Sequence, residues 1–186
     1  MKPVRPPVAV ALSAAWGVVL GGTFAAALPY LLGDWHLHRL GAGWIACQIL
    51  GGILIVGGLA PIVGSFVEFV RAHGTPIPLA SPPRLVVRGC YRYVRNPMYV
   101  GFLAILLGQT LLLGSLALLK YTLVAFCVGA AAVRFYEQPT LTRRFGDDYI
   151  TYKAAVRAWI PRLHAWTPPP SAGRPRHDPG HGHTVR

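Results

Sequence analysis

The stretch "PMYVGFLAILLGQTLLLGSLALLKYTLVAFCVGAAAVRFY", residues 97–136, contains two apolar runs separated by a Gly-Ser pair. A helix that crosses a membrane needs about 20 mostly apolar residues. The runs cover about 97–113 and 116–136, and the connection at Gly114-Ser115 is so short that they must lie side by side, antiparallel. The stretch therefore predicts a tight helical hairpin in a membrane.

The composition of the whole chain supports this interpretation. Of the 186 residues, 53% are hydrophobic and 13% are charged, whereas soluble domains carry about 25% charged residues. The net charge of +12 raises the question of nucleic-acid binding. The arginines, however, flank the apolar runs instead of lining one polar face, as loop charges do in membrane proteins. We therefore expect no nucleic-acid partner.

Two further apolar runs precede the hairpin, at about 8–32 and 44–70. The first is too long for the apolar core of a signal peptide, which has about 7–15 residues, so we interpret it as a retained span. The second contains Pro61, which membrane helices tolerate. The predicted fold class is an all-α integral membrane protein with about four transmembrane helices.

The basic residues predict the orientation of these spans. With four spans, both termini and residues 71–96 share one side of the membrane. Every lysine and arginine except Arg39 and Lys120 falls on that side. Because loops rich in lysine and arginine stay in the cytoplasm, both termini are predicted to be cytoplasmic.

After the fourth run, "RRFGDDYITYKAAVRAWIPRL", residues 143–163, predicts a short amphipathic helix at the cytoplasmic membrane surface. Ile150, Ala154 and Trp159 would supply part of its apolar face. Residues 1–166 are predicted to form one membrane domain, and residues 167–186 have the composition of a disordered tail. No metal site is predicted, since the cysteines lack ligand spacing and the tail histidines fit a flexible polar segment.

Two interpretations fit "YRYVRNPMYVG", residues 91–101. In the first it is only a helix start, with Asn96 as N-cap and Pro97 in the first helical position. Arg92 and Arg95 would then reach lipid phosphates. In the second, the unpaired N–H groups of the helix start bind a carboxylate. The local motif leaves both open.

Glu137 favours a binding site. It stands at the end of the fourth run, where the helix dipole disfavours an anion. Pairing with Arg134 is the alternative explanation, but an acid that follows its base gains only a few tenths of a kcal/mol. Pro139 is expected to break the helix, so that Glu137 points into a pocket. The hairpin brings Asn96 and Glu137 to the same membrane surface, and together they suit the zwitterionic head of an amino acid.

The segments "LVVRGCYRYVRNPMYVG" (85–101) and "EQPTLTRRFGDDYITYKAAVRAWIPR" (137–162) resemble the isoprenylcysteine carboxyl methyltransferase family. These membrane enzymes are related to the phospholipid N-methyltransferases and use S-adenosylmethionine. The resemblance covers residues 84–162 and implies a cofactor pocket at the cytoplasmic surface, with a lipophilic substrate entering from the bilayer. The cofactor-binding residues that it implies are Leu85, Val86, Tyr91, Asn96, Pro97, Met98, Tyr99 and Glu137.

The sequence departs from the family pattern at three positions. Asn96 replaces a histidine and Gln138 replaces the second glutamate of a pair. Neither side chain transfers protons near neutral pH, so a mechanism with either as general base is excluded. The family places a substrate-binding arginine about one turn before its glutamate. Arg134 stands one residue from that position, and we assign it to the acceptor carboxylate.

The predicted activity is transfer of a methyl group from S-adenosylmethionine to a lipophilic small molecule. Carboxyl O-methylation is the preferred chemistry, because an ionised carboxylate needs little help from a base. N-methylation of a lipid amine is an alternative, and a non-catalytic membrane scaffold or transport component is another. Membrane lipids are expected partners in each case.

Overall fold

The computed structural model describes residues 15, 19, 21–33, 41–71 and 85–168. Within these residues every regular element is helical and none is a strand. Most of the predicted loop before residue 85, much of the first predicted span and residues 169–186 of the predicted tail lie outside the described part.

The described helices follow the predicted runs in order. We label the α-helices α1 (Leu28–Leu32), α2 (Ile45–Arg71), α3 (Pro97–Leu113), α4 (Leu116–Ala132), α5 (Gln138–Phe145) and α6 (Asp147–Ala155). Two π-helical segments, Thr23–Ala27 and Val133–Glu137, precede α1 and α5. Short 3-10 turns lie at Ala42–Trp44 and Gly89–Arg92.

Helices α2 and α3 pack together through two pairs of glycines. A Cβ atom on Gly58 would lie 2.6 Å from the carbonyl oxygen of Gly101. A Cβ atom on Gly51 would lie 2.6 Å from the carbonyl oxygen of Gly108. The pairing order is antiparallel, and the backbones approach so closely because small residues let membrane helices meet.

Helices α3 and α4 are joined by two residues. Gly114 ends α3 with a φ of 66°, a left-handed conformation that glycine adopts without strain. Ser115 caps α4 by accepting a hydrogen bond from the backbone of Leu118. The hydroxyl oxygens of Thr110 and Thr122 lie 3.2 Å apart between the two helices, so the helices run antiparallel.

Two helices of the described part, Ile45–Glu68 and Leu116–Phe145, are long and apolar enough to cross a membrane. The shorter apolar helices are Thr23–Leu32 and Pro97–Leu113. An all-helical membrane protein is the fold class that these segments support. The count of four spans, and the hairpin as a membrane element, stay predictions.

The expectation that Pro139 would break the helix is wrong. The chain continues from α4 through the π turn Val133–Glu137 into α5. The wider turn bonds the N–H of Gln138 to the carbonyl of Val133. Pro139 then falls in the first turn of α5, where its missing N–H is tolerated.

The predicted surface helix in residues 143–163 corresponds to α6, Asp147–Ala155, which ends before Trp159. Gly146, with a φ of 55°, separates α5 from α6. Tyr149, Tyr152 and Val156 form a buried cluster on the inner side. Ile150 and Ala154, predicted on the apolar face, are exposed.

Candidate functional site

Three helix ends meet at one end of the fold. These are the last turn of α2, the first turn of α3 and the π turn after α4. The hydroxyl of Tyr99, in the first turn of α3, donates a hydrogen bond of 2.6 Å to Oε1 of Glu137. This bond links the two segments on which the family resemblance depends. The carboxylate of Glu137 therefore has Tyr99 as a hydrogen-bond partner. The alternative explanation, a pair with Arg134, did not include this partner.

Asn96 holds the N-cap position of α3, as predicted, but its side chain makes no capping hydrogen bond. Its Nδ2 atom is buried and has no hydrogen-bond partner within the described structure. A buried donor without a partner costs free energy. The start of α3 also leaves backbone N–H groups unpaired, so this place is suited to an anionic ligand such as a carboxylate.

Tyr91 lies in the 3-10 turn Gly89–Arg92, above the end of α2. The hydroxyl of Tyr152, in α6, donates a 2.6 Å hydrogen bond to the carbonyl of Tyr91 and holds this turn against the surface helices. Burial raises the pKa of the Tyr91 phenol far above its usual range, although a hydrogen bond with Ser65 lowers it in part. The phenol therefore stays neutral at any physiological pH.

Arg92 and Arg95 join residues 92–95 to the segment after α6, contacts that neither interpretation of residues 91–101 included. Nε of Arg95 donates to the carbonyl of Val156 at 2.8 Å, and Nε of Arg92 donates to the carbonyl of Trp166 at 2.8 Å. Backbone bonds, such as that from the N–H of Arg95 to the carbonyl of Arg157 at 2.9 Å, run beside them. The guanidinium groups satisfy carbonyls that no helix pairs, and they hold the Tyr91 turn in place.

This role of Arg95 has a measurable consequence. Arg95→Gln is expected to lower the free energy of unfolding by about 2 kcal/mol, since hydrogen bonds to charged groups contribute about 1.5–3 kcal/mol each. Arg88→Gln removes the same charge from an exposed side chain of the same stretch, and we expect it to change little. Thermal unfolding in detergent, followed by circular dichroism, compares the two variants. Equal midpoints would contradict the structural role of Arg95.

The other predicted site residues differ in how deeply their side chains are buried. Pro97 is buried in the first position of α3 and Met98 follows it, half-buried. Leu85 and Val86 are half-buried before the Tyr91 turn, with Leu85 packed against the Tyr149 cluster. Arg134 lies in the π turn with an exposed side chain, so it does not join the Tyr99–Glu137 pair directly. In the described residues no three His, Cys, Asp or Glu side chains come together as metal ligands.

The sequence analysis missed Glu68 altogether, and it placed Trp159 on the apolar face of a surface helix, whereas Trp159 lies after α6 ends at Ala155. Glu68 is a carboxylate only 8% exposed in the last turn of α2. An ionisable residue at the edge of an apolar run is a functional hypothesis by default, so the rule applied to Glu137 would have found it. Trp159 packs edge-on against Tyr99, with ring centroids 6.0 Å apart, and against Phe126 at 5.4 Å. Spacing within one segment gave no signal for this long-range contact.

Comparison with known proteins agrees with the resemblance. Residues 46–148 match the phospholipid methyltransferase family. A phosphatidylethanolamine N-methyltransferase of Botryotinia fuckeliana is 27% identical over 133 residues, covering 69% of this chain and 13% of that protein. A protein-S-isoprenylcysteine O-methyltransferase of Schizosaccharomyces pombe is 38% identical over 80 residues, covering 42% of this chain and 34% of the relative.

A third relative is named for methylation of a sulfur atom. Methanethiol S-methyltransferase 1 of Bradyrhizobium diazoefficiens is 35% identical over 83 residues, covering 44% of this chain and 28% of the relative. The chain thus spans only a minor part of the length of each of these three relatives. No solved structure matches the chain significantly.

Proposed function

The chain belongs to the phospholipid methyltransferase family, and from this premise we propose that it is a membrane methyltransferase. It uses S-adenosylmethionine and acts on a lipophilic small molecule. Carboxyl O-methylation of the isoprenylcysteine type is the preferred chemistry. We propose this activity, substrate class and cofactor for the chain because its relatives are named as methyltransferases.

The Tyr99–Glu137 hydrogen bond is the observation that carries the proposal. It joins the start of α3, which suits a carboxylate of a ligand, to the side chain of Glu137, which suits an ammonium group of the same ligand. The cofactor has an amino acid head with both groups. The buried, unpaired Nδ2 of Asn96 fits the carboxylate of this head, and the second oxygen of Glu137 is available for the ammonium group.

The remaining residues complete the proposed cofactor site. Leu85 and Val86 supply backbone contacts, and the neutral ring of Tyr91 lines the adenosyl part. Pro97 and Met98 shape the helix start and exclude water. When bound, S-adenosylmethionine supplies a sulfonium methyl group that a nucleophilic oxygen or nitrogen takes while the sulfur keeps the electron pair.

The residue types at the site favour a carboxylate acceptor. Asn96 and Gln138 cannot accept a proton near neutral pH, and Glu137 is engaged with Tyr99. A carboxylate acceptor needs no proton removed, whereas an ammonium acceptor must first lose one. Arg134 remains the proposed partner of the acceptor carboxylate, approaching from the exposed side of the π turn.

The product distinguishes the two chemistries. Protein in nanodiscs is incubated with methyl-labelled S-adenosylmethionine and either a prenylated cysteine or phosphatidylethanolamine. Carboxyl O-methylation gives a methyl ester that dilute alkali cleaves to labelled methanol, and we expect this outcome. An alkali-stable product from the phospholipid would instead establish N-methylation, the chemistry named for the Botryotinia relative. No labelled product with any acceptor would favour the scaffold.

The same end of the fold is proposed to face the cytoplasm. The helix ends of the site lie next to Arg88, Arg92 and Arg95, the basic residues that predict the cytoplasmic side. The four spans and the hairpin belong to this proposal, with the acceptor entering sideways from the bilayer. A cysteine placed at the C-terminus of the protein tests the orientation. Its labelling by a membrane-impermeant reagent is measured in intact cells or oriented vesicles.

A further inference from the structure

The segment that follows α6, residues 156–166, runs back along the start of α3, and we call it the C-terminal strap. Backbone hydrogen bonds hold it there. The N–H of Arg95 donates to the carbonyl of Arg157 at 2.9 Å, and the N–H of Arg162 donates to the carbonyl of Tyr93 at 2.9 Å. The side chains of the strap are therefore placed next to the first turn of α3.

The strap carries the indole ring of Trp159 to a place between α3 and α4. Its ring centroid lies 6.0 Å from that of Tyr99 and 5.4 Å from that of Phe126, edge-on to both, which is a preferred arrangement of aromatic rings. A Cβ atom on Gly129 would lie 3.3 Å from the Tyr99 ring and 4.0 Å from Cη2 of Trp159. Because Gly129 has no side chain, α4 leaves room there for both rings.

The orientation of the Tyr99 ring decides whether its hydroxyl can reach Glu137. The hydroxyl donates to Oε1 of Glu137 at 2.6 Å, and a hydrogen bond weakens steeply when its length or angle departs from the favoured range. The backbone of Gly129 limits the ring on one side and the edge of Trp159 limits it on another. Without the indole, the Tyr99 ring could turn away from Glu137.

We propose that Trp159 is a positioning residue of the candidate site. It holds the Tyr99 ring so that the hydroxyl meets Glu137, and the hydroxyl in turn orients the carboxylate for the ammonium group of the ligand. This inference rests on the proposed function. The strap lies beyond residues 46–148, which match the family, so the family match assigns Trp159 no role. Trp159 acts through Tyr99 and is not a ligand contact.

A double-mutant cycle tests whether Trp159 acts through the hydroxyl of Tyr99. Calorimetry in nanodiscs measures S-adenosylhomocysteine binding by wild type, Trp159→Ala, Tyr99→Phe and the double variant, and circular dichroism verifies each fold. Trp159→Leu, which keeps more apolar volume, repeats the cycle if Trp159→Ala does not fold. Trp166→Ala is the matched control, because Trp166 lies in the same strap but packs against Tyr152, with ring centroids 5.6 Å apart.

We expect Trp159→Ala to weaken binding about fivefold, the same loss as in Tyr99→Phe, since each variant ends the orientation of Glu137 by the hydroxyl. The double variant should also be only about fivefold weaker than wild type. Independent effects would instead multiply to about 25-fold. Trp159→Phe keeps an aromatic edge beside Tyr99 and should bind within about twofold of wild type. Any effect of Trp166→Ala should multiply with that of Tyr99→Phe.

Two results would overturn the inference. Wild-type affinity in folded Trp159→Ala would mean that Tyr99 keeps its position without the indole. A loss in the double variant equal to the product of the single losses would mean that Trp159 supports the fold and not the Tyr99 hydroxyl. A folded wild-type protein that bound no S-adenosylhomocysteine would instead refute the proposed function, and this inference with it.

Discussion

Glu137→Gln is expected to weaken binding of S-adenosylhomocysteine by roughly 10- to 100-fold, because hydrogen bonds to charged groups contribute about 1.5–3 kcal/mol. The variant keeps the shape of the side chain but removes its negative charge, which in the proposed site attracts the ammonium group of the ligand. Glu137 follows a continuous helix and is half-buried, so the fold should survive. Calorimetry in nanodiscs measures the affinity, and circular dichroism verifies the fold.

Tyr99→Phe provides a graded comparison for this experiment. It removes only the hydroxyl that donates to Glu137 at 2.6 Å. In the proposed site the hydroxyl orients the carboxylate and does not itself contact the ligand, so we expect a smaller, roughly fivefold loss, equivalent to about 1 kcal/mol. If folded Glu137→Gln bound the ligand as wild type does, the role assigned to Glu137 would be wrong. A larger loss in Tyr99→Phe than in Glu137→Gln would mean that the phenol, and not the carboxylate, contacts the ligand.

The helices that pack side by side could be predicted from the sequence because the signal is local. The apolar run predicted the bounds of α3, residues 97–113, and the Gly114-Ser115 pair predicted where this helix ends. The π turn Val133–Glu137 could not be predicted, since proline is usually a helix breaker and the widened turn that accommodates Pro139 leaves no mark in composition. The extension of the helix to Phe145 was missed for this reason.

The candidate site could be predicted for residues at helix ends. It could not be predicted for contacts between residues that lie far apart in the sequence. Asn96 and Glu137 were predicted to share one surface, and the hydrogen bond from Tyr99, three residues after Asn96, brings the start of α3 to Glu137. The partners of Arg92 and Arg95 lie more than 60 residues later, and backbone carbonyls carry no sequence signature. The contacts of these two arginines with the segment after α6 therefore could not be read from the sequence.

The close contact between α2 and α3 predicts the second large effect. Gly58→Ala should lower the free energy of unfolding by about 1–3 kcal/mol or more, as overpacking of a tight interface does. Its Cβ atom would meet the carbonyl oxygen of Gly101 at 2.6 Å and Cγ1 of Ile105 at 2.9 Å. The carbonyl is backbone and cannot turn aside, so the two helices must separate.

The adjacent glycine is the matched control. A Cβ atom on Gly57 meets nothing within 4 Å, and replacing glycine by alanine inside a helix gains about 0.5–1 kcal/mol. Gly57→Ala should therefore be neutral or stabilising, while Gly58→Ala, one residue later, destabilises. Unfolding by sodium dodecyl sulfate from mild detergent, followed by circular dichroism, measures both. Because the first turn of α3 carries Tyr99, Gly58→Ala should also weaken S-adenosylhomocysteine binding. Equal stability of the two variants would mean that the helices do not meet at Gly58.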